Sequence, residues 1–247
     1  FFFGRKQAAE GDRTPSVESQ VISQRGVFFM PINAGRVQRH FTRYTIPAFL
    51  RIPVGFFQAF YFLLRFKPKI VLSFGGYVSV PVVLAAWFLR IAVVTHEQTT
   101  VRSLASKINA LFAQRIAVSW PQTVKKFPSQ KVVLTGNPIR KEILQPIKKV
   151  LNFEKNLPLI FITGGNQGSH VINQAVEKAL PELVKTANVF HQCGHLRILG
   201  DFEKLREKRE KLPIKLRKRY QVKRYLDSQE MAAIFTQADL VVSRAGA

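Results

Sequence analysis

Three glycines in the stretch LPLIFITGGNQGSHVINQAV have the residue type and spacing to bind an anion. Residues 159–163 form an apolar, β-branched run that predicts a buried strand. Gly164, Gly165 and Gly168 follow, and apolar residues recur at helical spacing over residues 172–184. A turn of this kind brings backbone N–H groups and a helix N-terminus to a phosphate. The spacing is neither GxGxxG nor GxxxxGKS, so a tight turn without a ligand stays open as the alternative.

The stretch SFGGYVS repeats this arrangement in the first half of the chain. Residues 69–74 predict a strand, and Gly75, Gly76 and Tyr77 follow it. A helix is predicted to start near Ser79. The turn could hold a second anion, and a close-packed turn is the alternative.

Polar residues that could do chemistry end another predicted strand, residues 91–95. Glu97 is the single acidic residue between Glu18 and Glu142. Its carboxylate could bind sugar hydroxyls or position a base, or it could form a structural salt bridge. His96 could be a general base in principle, although nothing local activates it.

Arg140 ends the stretch GNPIR, and an arginine there suits bidentate binding of a phosphate. A hinge turn with a solvated arginine is the alternative. His191 and Cys193 lack the spacing of metal ligands, so no metal site is expected and Cys193 is predicted to be buried.

The charge balance indicates an anionic partner. The 247 residues include 38 Lys+Arg against 15 Asp+Glu, which gives a formal net charge of +23. Nucleic acid, acidic lipid and a phosphorylated ligand all fit this charge. The single cysteine excludes internal disulfides and fits a reducing compartment.

Strands alternate with helices along the whole chain, which predicts an α/β fold with two doubly wound halves. A charged connector divides them into residues 1–142 and 143–247. Ligands are then expected at the carboxyl ends of the strands. The further strands are predicted at 1–4, 27–32, 116–120, 132–134, 189–192, 221–226 and 240–243, and the further helices at 100–112 with Thr100 as N-cap, 202–212 and 228–237.

Residues 46–66 are apolar nearly all round, at almost the length of a membrane span. Prolines and polar residues interrupt the run, so buried helices, a helix at a membrane surface and a membrane span all stay open. The stretch between Arg36 and Lys69 is rich in aromatic and basic residues without any acidic one. It predicts peripheral, salt-sensitive binding to an anionic membrane.

Six motifs in order together resemble one family: SFGGYVSVP, HEQ, GNPIR, ITGGNQGS, HQCG and MAAIFTQADLVVSRAGA. The chain resembles the MurG family, peripheral membrane N-acetylglucosaminyltransferases of bacterial peptidoglycan synthesis. The resemblance implies two Rossmann-like domains in the GT-B fold, a location at the cytoplasmic face of the plasma membrane, and no cofactor. It implies inverting, metal-independent transfer of GlcNAc from UDP-GlcNAc to the MurNAc of lipid I, which gives lipid II, and no nucleic-acid partner.

The resemblance also assigns site residues by position. The family's serine is replaced by Asn166, which puts its hydroxyl contact in doubt, and its asparagine is replaced by Thr99, which puts an amide contact in doubt. The cleft-facing candidates are His96 and Glu97, without an assigned catalytic role. The implied substrate-binding residues are Arg140, Gly164, Gly165, Asn166, Gln167 and Gly168 for the donor, Gly75, Gly76 and Tyr77 for the acceptor side, and Gln98 and Thr99 in the cleft, for sugar or acceptor.

The chain is interpreted as a fragment, because it opens inside the run FFFG and closes on RAGA. On this interpretation the family's proposed base, a histidine in a GGTGGH loop, precedes Phe1, and the piece alone is not expected to be active. Another GT-B enzyme, such as a lipid glycosyltransferase or a UDP-sugar epimerase, is the alternative within the fold. A basic nucleic-acid-binding module is the alternative from another class, although no RRM, KH or zinc-knuckle pattern is present.

Overall fold

The computed structural model describes residues 1–7, 15–35, 45–144, 152–196 and 198–244. Two compact units are present, one with Phe1–Lys6 and Pro15–Pro138 and the other with the described part of Ile139–Ala245. Both contain parallel sheets with helices between the strands, so the predicted α/β class is confirmed.

The first unit contains two parallel sheets, one with the order β1-β2 and one with the order β3-β4-β5-β6. Its elements are β1 (Phe2–Gly4), α1 (Val17–Gln24), β2 (Phe29–Pro31), α2 (Thr45–Phe66), β3 (Ile70–Ser73), α3 (Ser79–Phe88), β4 (Ala92–Glu97), α4 (Leu104–Phe112), β5 (Arg115–Val118), α5 (Pro121–Val124) and β6 (Val132–Leu134).

The second unit is built around one parallel sheet with the order β10-β7-β8-β9. Its elements are α6 (Lys141–Leu144), β7 (Leu159–Thr163), α7 (His170–Thr186), β8 (Asn188–Gln192), α8 (Asp201–Glu210), α9 (Ile214–Arg217), β9 (Tyr220–Lys223), α10 (Ser228–Gln237) and β10 (Leu240–Ser243).

All predicted strands are present, each within three residues at either end. The predicted helix starts near Ser79, at 202 and at 228 lie within one residue of the starts of α3, α8 and α10. The prediction of Thr100 as an N-cap is wrong, since α4 starts at Leu104 and the Ser103 hydroxyl accepts the Ser106 N–H at 3.0 Å. Helix α1 went unpredicted, and its N-cap is Ser16, which accepts from Ser19 N. Both capping serines lie in polar stretches where several hydroxyl residues compete for the same role.

Helix α2 resolves the ambiguity of its apolar sequence, because only one face is buried. Gly55, Ala59 and Leu63 recur every fourth residue and pack inward. The side chain of Gln58 accepts the Asn33 N–H at 2.9 Å, which satisfies that polar group within the fold. In the described part of the chain, no helix is long and apolar enough to cross a membrane.

The two sheets of the first unit have an apolar cavity of about 420 Å³ at their edges. Phe1, Phe2 and Phe3 line one side, and residues 70–74 line another. The core of this unit adjoins the cavity, and Val83 and Ile116 are fully buried between the larger sheet and its helices. Each such side chain contributes about 1.5–3 kcal/mol to folding by its burial.

Candidate functional site

The turn after β7 joins that strand directly to α7. The N–H of Gly165 donates to the Thr163 hydroxyl at 3.0 Å, and the N–H of Gly168 donates to the carbonyl of Gly165 at 3.0 Å. Helix α7 begins at His170, and its N-cap, Ser169, makes no side-chain capping bond. The first N–H groups of a helix have no intrahelical partner, so α7 presents donors at the end of the turn.

The three glycines of this turn are required for different reasons. A Cβ on Gly164 would lie 2.2 Å from the Ser169 nitrogen, and one on Gly168 would lie 2.0 Å from the Cys193 carbonyl oxygen. Close packing therefore accounts for these two glycines. Gly165 has a positive φ of +77° and an open side, where a Cβ would meet only the guanidinium of Arg244 at 3.4 Å. The open face at Gly165 is the side from which a ligand could approach.

Arg244 adds positive charge to this open face. It follows β10, which pairs with β7 in register Ser243↔Thr163, and it is exposed. Among the described residues no carboxylate forms an ion pair with it. A guanidinium without an acidic partner, in the same turn region as a helix N-terminus, favours an anion there.

Arg140 also lies in the second unit. Its Nη1 donates to the Ser228 hydroxyl at 3.2 Å, at the first residue of α10. The start of α10 is capped by Asp227 and Glu230 in a capping box. This contact holds the guanidinium beside a helix N-terminus.

His191 and Cys193 are both buried in the second unit. Burial raises the pKa of the Cys193 thiol to about 12, so the predicted packing role is confirmed and the thiol is a poor nucleophile. Burial also lowers the pKa of His191 to about 4, against a smaller opposite effect of Asp201. Three or more His, Cys, Asp or Glu side chains grouped as for a metal ion are not found among the described residues.

The turn after β3 is less crowded. The N–H of Gly75 donates to the Ser73 hydroxyl at 3.2 Å, and Asn109 donates to the hydroxyls of Ser73 and Ser79 at 3.2 and 2.7 Å. A Cβ on Gly76 would meet nothing within 4 Å, and Gly75 has only the Ser106 hydroxyl nearby at 3.6 Å. Both glycines are required by positive φ rather than by space.

Glu97 organises the loop that follows β4. One carboxylate oxygen accepts the N–H and hydroxyl of Thr99 at 3.0 and 2.7 Å, and the other accepts the Ser103 N–H at 3.3 Å. Burial opposes ionisation, but hydrogen bonds from Ser106, Thr99 and Ser103 outweigh it and keep the pKa of Glu97 below its ordinary value. Among the described residues, no cation forms an ion pair with Glu97, and its carboxylate is held by hydrogen bonds of the loop.

His96 is buried next to this loop. Its Nε2 lies 3.2 Å from the Gly136 carbonyl oxygen and 3.3 Å from the Ser119 hydroxyl. Gln98 is exposed, and its carbonyl oxygen accepts the Trp120 indole N–H at 3.0 Å. The polar atoms of His96 and Glu97 thus serve the fold, and their place as cleft-facing candidates stays a prediction.

Strand pairing decides which of these residues share an edge. Strands β3 and β4 are neighbours, so the Gly75 turn and the His96 loop lie at one sheet edge. Strands β10, β7 and β8 are neighbours, so Arg244, the Gly165 turn and Cys193 lie at another. The predicted place of residues 36–44 in a membrane surface falls outside the described residues.

Two parallel α/β units, each with a glycine turn between a strand and a helix, define the two-domain Rossmann-like class called GT-B. The chain belongs to glycosyltransferase family 28. The model of that family's N-terminal domain matches residues 13–118, and the model of its C-terminal domain matches residues 159–247.

Curated relatives carry a transferase name. The chain is 35% identical over 235 residues to the UDP-N-acetylglucosamine–N-acetylmuramyl-(pentapeptide) pyrophosphoryl-undecaprenol N-acetylglucosamine transferase of Clostridium botulinum, covering 94% of this chain and 63% of that protein. A second transferase of that name from Bacillus cereus is 32% identical over 234 residues, with 93% and 63% covered. The chain therefore spans slightly less than two thirds of the length of these relatives.

Solved structures agree on the fold. MurG of Acinetobacter baumannii superposes with a TM-score of 0.53 at 25% identity, over 93% of this chain and 60% of that chain. The UDP-GlcNAc 2-epimerase of Neisseria meningitidis bound to UDP-GlcNAc gives a TM-score of 0.59 at 16% identity, over 92% and 67%. At 16% identity, the similarity to the epimerase supports a conclusion about the fold only. The sequence-based resemblance to the MurG family is confirmed.

Proposed function

We propose that the protein containing this chain transfers GlcNAc from UDP-GlcNAc to the MurNAc of lipid I and produces lipid II. The observation that carries the proposal is the open face at Gly165, with the guanidinium of Arg244 beside it and the start of α7 at the end of the same turn. The names of the curated relatives and both family 28 domains support the same activity. The proposal concerns the whole protein, because this chain spans 63% of those relatives.

The donor's diphosphate is assigned to the turn of residues 164–168 and the start of α7. In the transfer, an acceptor hydroxyl attacks the anomeric carbon of GlcNAc, the bond from that carbon to the UDP oxygen breaks, and negative charge grows on UDP. Backbone N–H groups, the partial positive end of α7 and a guanidinium all stabilise that charge more as it develops. The turn therefore accelerates the reaction and does not only bind the substrate.

Arg140 is assigned to the donor nucleotide or its phosphates. Its contact with Ser228 keeps one edge of the guanidinium occupied and leaves other N–H groups for a ligand. The acceptor side is assigned to Gly75, Gly76 and Tyr77 with Gln98 and Thr99. The base that takes the acceptor proton is not assigned to any residue of this chain.

A transfer assay with the full-length protein tests the activity. Radiolabelled UDP-GlcNAc is incubated with detergent-solubilised lipid I, with and without EDTA. We expect label to move to the lipid, one UDP to be released per transfer, and EDTA to have no effect.

Two other outcomes would overturn the proposal. Formation of the 2-epimer of UDP-GlcNAc without lipid labelling would identify an epimerase. Copurified RNA that dissociates steeply with salt, together with absent turnover, would identify the nucleic-acid-binding alternative.

We also propose peripheral binding to the anionic cytoplasmic face of a membrane through the first unit. An apolar surface is formed by residues of α2 and the end of α3, all of them 47% exposed or more: Val54, Phe57, Tyr61, Leu64, Trp87 and Phe88. Ring contacts run from Phe57 through Phe56 to Phe88 and Trp87, so the surface is continuous.

Charge near this surface has one sign. Arg65, Lys67, Lys69 and Arg90 lie close to it in the chain, and Glu97 is the single acidic residue between positions 18 and 142. Each basic side chain near an anionic leaflet contributes about 1 kcal/mol. An acceptor held on a long lipid requires the enzyme to come to the bilayer. These features support an interfacial contact of the kind that aromatic and basic residues form together.

Vesicle co-sedimentation tests this surface. The combined change Phe57→Ser and Tyr61→Ser should reduce binding to anionic vesicles about a hundredfold or more, since each ring loses about 1.5–3 kcal/mol of buried apolar contact. The matched control changes Ile198→Ser and Ile214→Ser, two apolar residues that are 69% and 75% exposed in the second unit. If the Phe57/Tyr61 variant and the Ile198/Ile214 control sediment equally with the vesicles, the membrane contact does not lie on this surface.

A further inference from the structure

The position of the anion-binding turn depends on a neighbouring turn, Cys193–Gly194. The two backbones approach so closely that a Cβ on Gly168 would lie 2.0 Å from the Cys193 carbonyl oxygen. In the other direction, a Cβ on Gly194 would lie 2.2 Å from the nitrogen of Gly168. A shift of the Cys193 carbonyl is therefore transmitted directly to the Gly168 backbone.

Three backbone hydrogen bonds and one side chain hold the Cys193–Gly194 turn. The N–H groups of Cys193 and Gly194 donate to the carbonyls of Lys223 and Arg224 at 2.9 and 3.0 Å. The N–H of His195 donates to Asn166 O at 3.0 Å, which ties this turn to the anion-binding turn.

The side chain that completes this support is Asn173, in the first part of α7. Its Nδ2 donates to the Cys193 carbonyl oxygen at 2.9 Å, the same oxygen that faces Gly168. The residue is 2% exposed, so water does not compete for this bond. One helix thus supplies both the N-terminus that meets the anion and the amide that sets the turn beneath it.

The orientation of the Asn173 amide is fixed by its other partners. Its Nδ2 also donates to Asp201 Oδ2 at 2.7 Å, and its Oδ1 lies 3.1 Å from His191 Nε2. A flipped amide would place Oδ1 against the Asp201 carboxylate and the Cys193 carbonyl, two acceptors. The observed orientation requires a proton on His191 Nε2, and the Tyr220 hydroxyl at 3.0 Å then donates to Nδ1 of His191.

We propose that Asn173 is a positioning residue for the donor-binding turn. Through the Cys193 carbonyl it holds residues 164–168 and the start of α7 at the spacing that a diphosphate requires. The identity of the anion rests on the proposed function, whereas the positioning itself does not. The network of Asn173 with His191 and Asp201 preorganises the turn before the donor arrives.

Asn188 offers a matched control for loss of a buried amide. It is 1% exposed, and its Nδ2 donates to two carbonyls, Glu154 O at 2.8 Å and Leu157 O at 3.1 Å. It lies at the amino end of β8, the end of the sheet opposite the anion-binding turn. Asn188→Ala removes two bonds to neutral carbonyls, whereas Asn173→Ala removes three, one of them to a carboxylate, so the two variants are compared at equal stability.

Hydrogen exchange of the full-length protein without ligand is the first experiment. We expect amides of residues 164–169 to exchange about tenfold faster in Asn173→Ala than in Asn188→Ala at equal stability of the remaining protein. Asn173→Asp has the same size but replaces the donating Nδ2 with an oxygen, which faces the Cys193 carbonyl and the Asp201 carboxylate. It should therefore have at least the same effect. If Asn173→Ala does not fold, Asn173→Ser, whose single O–H can donate to only one of the Cys193 carbonyl and the Asp201 carboxylate, provides the same readout with a smaller expected increase. Equal exchange of this segment in the Asn173 variants and the control would overturn the positioning role.

Titration with UDP is the second experiment. Asn173→Ala should weaken UDP binding about tenfold and raise the donor KM with the acceptor KM unchanged, whereas Asn188→Ala should leave UDP affinity at the wild-type value. Unchanged UDP affinity in Asn173→Ala would also overturn the inference. If the wild type binds no UDP while exchange of residues 164–169 still responds to Asn173→Ala, the proposed function fails and the positioning role stands.

Discussion

The two glycine turns look alike in sequence and share their first hydrogen bond, yet they use glycine differently. In each turn, the hydroxyl of the last strand residue accepts a glycine N–H. The Ser73 hydroxyl accepts the N–H of Gly75, and the Thr163 hydroxyl accepts the N–H of Gly165. In the first unit the glycines have open space around them, and only their positive φ requires glycine. In the second unit Gly164 and Gly168 are required by neighbouring atoms, which a Cβ at either position would approach to 2.2 Å or less.

Two glycines in a turn can therefore be required either by a positive φ or by close packing of the backbone. A turn that needs only positive φ tolerates small changes at a modest cost in strain. A turn packed backbone to backbone transmits any displacement to its neighbours, so its geometry is held tightly. The second kind suits a site that must present several N–H groups to one anion at fixed distances.

The largest expected effect is at Gly168. Gly168→Ala combines a forbidden contact with the Cys193 carbonyl and a φ of +83°, which should cost about 2–5 kcal/mol of stability and abolish measurable UDP binding. Gly76→Ala, with a φ of +76° and nothing within 4 Å, should cost about 1–2 kcal/mol. Denaturant unfolding and calorimetric titration with UDP measure both variants. Equal costs at the two positions would remove the distinction between the turns.

Arg140 sharpens the assignment of donor binding to the second unit. Arg140→Ala should weaken UDP binding by about 1.5–3 kcal/mol, the range for hydrogen bonds to charged groups. Arg140→Lys should restore little of it, because an ammonium does not reproduce bidentate contact. The control Ser228→Ala removes only the side-chain partner of Arg140 and should cost less. If Arg140→Ala keeps the wild-type donor KM and kcat, Arg140 does not bind the donor and is only part of a hinge turn.

The buried support of the second turn predicts a pH dependence. The pKa of His191 is about 4 in the folded protein against an ordinary value of 6.5, so between these values the unfolded chain binds more protons. Stability should therefore be fully present above pH 6.5 and fall as pH decreases toward 4. The contribution of His191 amounts to about 2 kcal/mol between pH 7 and pH 5.

The measurement is chemical unfolding of the second unit at both pH values, in wild type and His191→Gln. We expect the drop in stability to be smaller in the variant by this amount. The same drop in both proteins would show that His191 does not bind a proton on unfolding in this range.

The smallest expected effect concerns the support of the first turn. Asn109→Ala removes the bonds to the Ser73 and Ser79 hydroxyls and should cost about 1–2 kcal/mol of stability. UDP affinity should stay at the wild-type value, in contrast to Asn173→Ala. A loss of UDP affinity in Asn109→Ala would show that the first turn also shapes the donor site.

The sequence by itself determined the strands, the α/β class, the two halves and the position of both glycine turns. Apolar, β-branched runs and glycines act through local geometry, which periodicity and spacing record. Six ordered motifs determined the family, since their combination is far more specific than any one of them.

Tertiary structure alone decided the partners of the polar side chains. Asn173 became the support of Cys193 because β8 lies beside β7, so that the start of α7 meets the turn after β8. Strand order likewise brought Arg244 to Gly165, which are 79 positions apart in the sequence. Packing also decided which face of α2 is buried, since an apolar helix face has the same composition whether it meets a core or solvent. Such pairings depend on long-range contacts, which no local pattern of residues encodes.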